Sequence, residues 1–235
     1  MSQSYFVWNG VDSREMGITL RHAAPIVRPE ERVSHVVIPG MAGDYTELEG
    51  EGVYNSYIQT VEMSVKTAAQ VRLVYLWLQG SGYITFSGQP YYRQQARVIG
   101  AVSLEKISRN LDTWAGQVQF YCQPLKESLT DTPETFTSSG TLSNTGAVPA
   151  YPIIYAYPST EPYMDITVNG NTLRLTNIRG IRRIDCKAKV ITNATQTVLV
   201  TKNSAGPFPV LQVGNNTIAG SGWSKLEIYK NERYL

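Results

Sequence analysis

The sequence predicts an all-β protein with one short α-helix. Three observations predict it: apolar residues recur at every second position through the first half, an Asn-Gly pair joins two complementary segments, and short apolar runs in the second half are spaced by turns rich in Gly and Asn. A chain of 235 residues suffices for one large domain or two modest ones.

Period two is clearest from Tyr57 to Lys66. There Tyr57, Val61, Met63 and Val65 fall on one side and Thr60, Glu62, Ser64 and Lys66 on the other, the pattern of a half-buried strand. Val118, Phe120 and Cys122 alternate with Gln117, Gln119 and Tyr121 in the same way. Val98, Val102 and Leu104 share a face interrupted by Gly100. These patterns predict two more strands.

One segment departs from period two. Thr67-Ala68-Ala69-Gln70 is a capping box, in which the threonine hydroxyl and the glutamine amide each satisfy a free backbone N–H, and Gly80 ends the run. The spacing predicts a helix over 68–79. One stripe holds Val71, Val74, Tyr75 and Leu78, and a second, opposite stripe holds Leu73, Leu76 and Trp77, with Arg72 nearly alone as a charge. A helix apolar on both sides is expected to be buried on both, between sheets of its own chain. Contact of the second stripe with a neighbouring subunit is the other reading.

Residues 126–146 are rich in Ser, Thr, Pro, Asp and Glu and read as a linker between domains at 1–125 and 147–235. Beyond it, Asp165 to Arg174 reads as a hairpin with Asn169-Gly170 as its turn. Counting outward opposes Ile166 to Leu173 and Asp165 to Arg174, an apolar pair and an opposite-charge pair, so the register checks itself. Short strands expected near Lys189–Thr192, Thr197–Thr201, Pro209–Val213 and Lys225–Lys230 give the rhythm of a small β-sandwich or jelly roll.

Composition bounds the function. Charged residues are 17% of the chain, against about 25% in typical soluble domains, so much of the surface is neutral. The bias toward tyrosine, 15 Tyr and 4 Trp against 5 Phe, supplies rings that bury a body and expose a polar tip, which suits strands and subunit contacts. A net charge of +2 without basic runs gives no phosphate-neutralising footprint, which argues against sequence-specific nucleic-acid binding. No stretch is long and apolar enough to span or insert into a membrane, and the N-terminus has no secretion pattern, so a soluble product made in the cytoplasm is expected. Cys122 and Cys186 fall in different predicted domains and are expected to be buried thiols.

Catalytic, metal and cofactor residues are not expected. Only His22 and His35 are available as imidazole bases, neither near a second ligand at metal spacing, and no G-x-S-x-G elbow is present. Gly50-Glu51-Gly52-Val53-Tyr54-Asn55 opens like a dinucleotide loop but ends in Asn and carries a carboxylate where phosphate would approach. Glu47, Glu49 and Glu51 alternate as a calcium site or a glycosidase pair would require, yet a solvated loop is the simpler expectation. Tyr151, Tyr155, Tyr157, Tyr163 and Trp223 offer rings on which a sugar could stack. That makes a host-carbohydrate-binding module the rival to a structural interaction protein, with core or interface positions the preferred reading of those rings.

The segment from Gly40 to Tyr54 carries four glycines, with Met41, Tyr45 and Leu48 set between carboxylates. It reads as an extended arm able to reach a neighbour. Met41, Tyr45, Leu48 and Tyr54, with Leu73, Leu76 and Trp77 of the helix, are the candidate subunit interface.

The first half also carries Phe6-Val7-Trp8-Asn9-Gly10-Val11-Asp12-Ser13, Met16-Gly17-Ile18, Val36-Val37-Ile38-Pro39-Gly40 with Gly43, and the closing Phe120-Tyr121-Cys122-Gln123-Pro124. In that order these motifs resemble the distal tail protein family of long, flexible-tailed bacteriophages, well over the first half and more loosely beyond. The resemblance implies a virion structural protein without enzymatic activity, assembled in the host bacterial cytoplasm into a homohexameric ring at the tail tip. N-terminal domains would form the ring around a DNA channel, and C-terminal galectin-like β-sandwiches would project outward. The implied partners are the tail tube protein, the tail-associated hub or lysin protein and the tape measure protein. The sequence departs from the family at Met41 and Ala42, where many relatives place a basic residue after Pro-Gly. It also lacks the large insertions that carry sugar-binding modules in some relatives, so a separate adhesin is implied.

Overall fold

Alternation in the sequence becomes alternation in burial. From Tyr57 to Val65, residues Val61, Met63 and Val65 are buried while Ile58, Thr60 and Glu62 are exposed. The structure, a computed structural model, describes residues 3–50, 52–159 and 162–235. The chain divides into two units, one running to Leu129 and the other from Thr130 to Tyr234.

The first unit contains β1 (Phe6–Trp8), β2 (Val11–Asp12), β3 (Thr19–Leu20), β4 (Val33–Val37), β5 (Asp44–Leu48), β6 (Tyr57–Val65), α1 (Ala68–Trp77), β7 (Ser81–Phe86), β8 (Tyr92–Lys106) and β9 (Trp114–Ser128). Its antiparallel sheet runs β2-β1-β7-β8-β9-β6-β3. Val61 stands opposite Val118 and Tyr57 opposite Cys122, so the buried residues of β6 and β9 share one face. That face meets Phe6, Trp8 and the helix residues Val71 and Val74 in a single core. Phe120 is its centre, 5.6 Å from Phe6 edge to face and 5.3 Å from Trp8. The β8–β9 pairing shifts register between Ile99 and Ser103, where Gly100 at φ +67° supplies the left-handed conformation of a bulge.

The second unit contains β10 (Glu134–Phe136), β11 (Gly140–Asn144), β12 (Ile153–Pro158), β13 (Tyr163–Val168), β14 (Asn171–Thr176), β15 (Arg182–Asp185), β16 (Val190–Asn193), β17 (Ser204–Ala205), β18 (Gly214–Ser221) and β19 (Trp223–Tyr229). One sheet runs β10-β19-β12-β15-β16 and the other β11-β18-β13-β14-β17. Ile154, Ile184, Leu226 and Ile228 of the first share a core with Leu142, Ile166, Leu173 and Ile218 of the second, which makes the unit a sandwich. The β13–β14 hairpin has the predicted register, Ile166 to Leu173 and Asp165 to Arg174. Asn169 at φ 50° and Gly170 at φ 82° give the primed turn that matches strand twist.

Residues 126–146 do not run as an unstructured linker. Lys126 to Ser128 close β9, and β10 and β11 lie within the stretch. Glu134, Thr135 and Thr141 are the exposed residues of β10 and β11, while Phe136, Leu142 and the buried Asn144 face inward. The segments at Thr197–Thr201 and Pro209–Val213 form single bridges, Thr192 to Leu199 and Ala150 to Leu211, rather than strands. Strand β18 was hidden by its Asn215-Asn216 pair, which reads as a turn. Asn216 is instead fully buried, its amide donating to Gln212 O at 2.8 Å and accepting from Asn169 Nδ2 at 2.7 Å.

Candidate subunit interface

Strands β4 and β5 form a two-stranded ribbon separate from the three larger sheets. Val33 pairs with Leu48, Val36 with Tyr45 and Val37 with Asp44. The stem continues through Arg32, whose N–H donates to Val53 O and whose carbonyl accepts from Glu49 N, both at 3.0 Å. Residues opposed in an antiparallel pair share a face. One face therefore carries Val36 and Tyr45, and the other carries Val33, Leu48 and Val37. Val37 is 74% exposed, Leu48 57% and Tyr45 51%, and Val36 and Met41 are also exposed. A ribbon apolar on both faces and covered on neither is marginal alone, because isolated two-stranded hairpins bury too little surface.

The segment read as an arm supplies the second strand of this ribbon, which starts earlier than Gly40. Its first strand contributes Val36 and Val37, and Ile38 follows them, all exposed and all omitted from the candidate set although the apolar run was visible in the sequence. Tyr54 lies at the stem, half-buried and bridged to Glu31, and is not part of the exposed ribbon.

Helix α1 begins as predicted. Gln70 N–H donates to Thr67 Oγ1 at 3.2 Å, and Thr67 N–H donates to Gln70 Oε1 at 3.1 Å. Val71, Val74 and Leu78 are buried, and Tyr75 reaches β8, where its hydroxyl oxygen accepts from Leu104 N–H at 3.1 Å. The expectation of burial on both sides fails, because the sheet covers only one side. Leu73 and Leu76 are 55% and 64% exposed. Trp77 parts company with them: its ring stacks on Phe6 at 5.5 Å and 13°. At 100° per residue it sits only about 60° from Val74, close enough for a long side chain to reach the core.

The other sequence candidates are dispersed. His35 Nδ1 lies 3.2 Å from Thr46 Oγ1 across the ribbon, and His22 is exposed. Glu49 accepts from Ser34 and pairs with Arg32 at 3.9 Å, Glu47 is exposed, and Glu51 lies outside the described residues. Among the described residues no group of three or more His, Cys, Asp or Glu is placed to hold a metal ion. A cleft of about 510 Å³ beside β3 presents Arg21 and Glu62, exposed and paired with each other at 3.2 Å. Cys122 and Cys186 are both buried free thiols, and burial pushes Cys122 up to about 12.

The rings considered for sugar stacking are engaged by their own chain. Trp223 is buried, its indole N–H donating to Asp165 O at 3.0 Å. Lys225 Nζ lies 3.9 Å over the Tyr157 ring, whose hydroxyl donates to Glu227 at 3.0 Å. Arg174 lies 4.8 Å over Tyr163, and Tyr155 packs edge to face on Tyr229. Tyr151 is 37% exposed and joins none of these ring contacts.

No protein-family model matches the sequence, and no curated protein matches it. Among solved structures the chain is similar to the SPP1 Dit (gp 19.1) protein, described as a paradigm of the hub adsorption apparatus in phages that infect Gram-positive bacteria. The two are 16% identical, and the likeness covers 100% of each chain at a TM-score of 0.75. Over its whole length the chain has the Dit fold, in keeping with the motifs of its N-terminal half.

Proposed function

We propose that this chain is the structural distal tail protein of a long-tailed bacteriophage. In this reading six copies close a ring that joins the tail tube to the tail-tip hub and leaves a channel for DNA. The single observation that carries it is agreement of fold over the full length with a phage hub protein, both units included. The surface of the first unit supports it. A ring is built from heterologous contacts, which require two different unsatisfied patches on one subunit. The ribbon β4–β5 and the outer stripe of α1 are two such patches, exposed and apolar.

The first unit forms the ring, and the second is a galectin-like sandwich domain. The tail tube protein, the tail-associated hub or lysin protein and the tape measure protein are its partners, and the finished ring resides at the virion's tail tip. The protein works by shape and contact rather than by chemistry and needs no cofactor. Light scattering over a range of concentrations, with negative-stain images of the same sample, tests this reading. A particle of six times 26.1 kDa with an open centre is expected. A chain that stays monomeric throughout and adds nothing to purified tail tubes overturns it.

A further inference from the structure

The sequence has two Asn-Gly pairs, one in each unit, and both form turns built alike. Asn9-Gly10 joins β1 to β2, with Trp8 opposite Val11, and Asn169-Gly170 joins β13 to β14, with Val168 opposite Asn171. The backbones match: φ is 50° at both asparagines, and 83° and 82° at the glycines. Each asparagine also reaches a third strand in the same way. Asn9 N–H donates to Tyr83 O at 3.0 Å, and its Oδ1 accepts from Tyr83 N–H at 3.0 Å. Asn169 N–H donates to Thr217 O at 3.1 Å, and its Oδ1 accepts from Thr217 N–H at 2.9 Å. In both turns the carboxamide stands in for a backbone carbonyl and carries the ladder one step past the hairpin end.

The amide nitrogens differ. Asn169 Nδ2 donates at 2.7 Å to Oδ1 of Asn216, a fully buried side chain. Among the described residues Asn9 Nδ2 has no hydrogen-bond partner. Where Asn216 precedes Thr217, the residue before Tyr83 is Gly82. A Cβ built on Gly82 would lie 1.7 Å from Asn9 Oδ1 and 2.5 Å from its Cγ. The Asn9 carboxamide therefore rests on a bare Cα and is held by one hydrogen bond.

Asn-Gly is the pair most open to deamidation, because glycine puts no Cβ beside its own attacking nitrogen. That nitrogen, giving its proton to solvent, bonds to the asparagine Cγ, the Cγ–Nδ2 bond breaks, and ammonia leaves a succinimide. Water then opens the ring to aspartate or isoaspartate. To react, the carboxamide must swing off its neighbouring strand and over the glycine nitrogen, and each hydrogen bond it makes opposes that swing. We infer that Asn9-Gly10 is the deamidation site of the folded protein, and that Asn216 closes Asn169-Gly170 to the same reaction. Conversion adds one negative charge. As isoaspartate it also lengthens the backbone by one methylene next to Trp8, which is fully buried, so the modified chain is expected to be less stable.

Peptide mapping by mass spectrometry tests this on the full chain, held in mildly alkaline buffer and digested afterwards in weak acid, where the reaction is slow. In the folded protein Asn9 is expected to convert roughly fivefold or more faster than Asn169, the weight of one hydrogen bond. In the urea-unfolded chain the two should convert at similar rates, since glycine follows both. Gly82 lies within β7 in a conformation open to any residue, so Gly82→Ala displaces the Asn9 carboxamide without straining the backbone. It is expected to speed conversion at Asn9 and leave Asn169 unchanged, with circular dichroism checking the fold. Equal rates in the folded protein, or a faster Asn169, overturn the inference. So does an Asn9 rate that a folded Gly82→Ala leaves unaltered. Should that variant fail to fold, the comparison of folded with unfolded wild type decides by itself.

Discussion

Trp77 stacks on Phe6 at 5.5 Å and 13°, while Leu76, one residue earlier, is 64% exposed. This relationship divides the outer stripe of α1 into a residue that holds the unit together and residues left for a partner. Trp77→Ala is therefore expected to destabilise the unit by roughly 3 kcal/mol, the low end for aromatic truncation because the ring is only partly buried. Leu76→Ala should stay within about 0.5 kcal/mol in the monomer. Chemical denaturation below the association threshold separates the two.

Gly116 sits where β9 crosses close to β8. A Cβ built there would lie 1.8 Å from Ser103 O, a backbone atom that cannot move aside cheaply. Gly116→Ala is expected to lower stability by roughly 2 kcal/mol or more, as overpacking against backbone does. Thermal unfolding followed by tyrosine and tryptophan fluorescence measures it.

Asp165 and Arg174 face each other across β13 and β14 and form a two-pronged pair at 2.8 and 2.7 Å. The Arg174 hydrogen bonds hold the Asp165 carboxyl below its ordinary value of 3.8. A depressed carboxylate contributes stability above that ordinary value and loses it as pH falls through the folded value. Wild type is expected to exceed Arg174→Met in stability at pH 7. The gap should close in strong acid, and a gap constant with pH counts against the pair.

Lys126 is 3% exposed, and its ammonium nitrogen has no hydrogen-bond partner. Desolvation lowers its pKa below the ordinary 10.5. The folded state thus binds fewer protons than the unfolded one between the lowered value and 10.5, so this group makes stability rise with pH through that window. Below the window its penalty is constant. Lys126→Met is expected to stabilise the protein at neutral pH by about 1 kcal/mol or more and to remove that rise, read as the difference between two denaturation series. The neighbouring Cys122 thiol, pushed up to about 12, stays protonated across it.

Features encoded over short distances were legible in the sequence. The Thr67–Gln70 box, the alternation of Val61, Met63 and Val65, and the Asn169-Gly170 register are set by residues within a few positions of one another. The exposed ribbon residues Met41, Tyr45 and Leu48 belonged to that class as well, since an apolar tip among glycines and carboxylates is odd wherever it stands. Three features were not legible. Asn216 passed for a turn because its buried hydrogen-bond partners include Asn169, far away in the chain. Strands β10 and β11 passed for a linker because only half of each faces a core. Trp77 was grouped with Leu73 and Leu76 in one stripe because the ring it stacks on, Phe6, lies far away in the sequence.

By itself, then, the sequence determined the all-β class, the capped helix, the self-registering hairpin and a neutral, tyrosine-rich surface suited to contact. Those follow from backbone propensity and side-chain period, which act locally. Only the tertiary structure decided which stripe of α1 is covered and that β4 and β5 stand apart with both faces open. Burial is a property of surfaces, and a surface exists only once residues distant in the chain have been brought together.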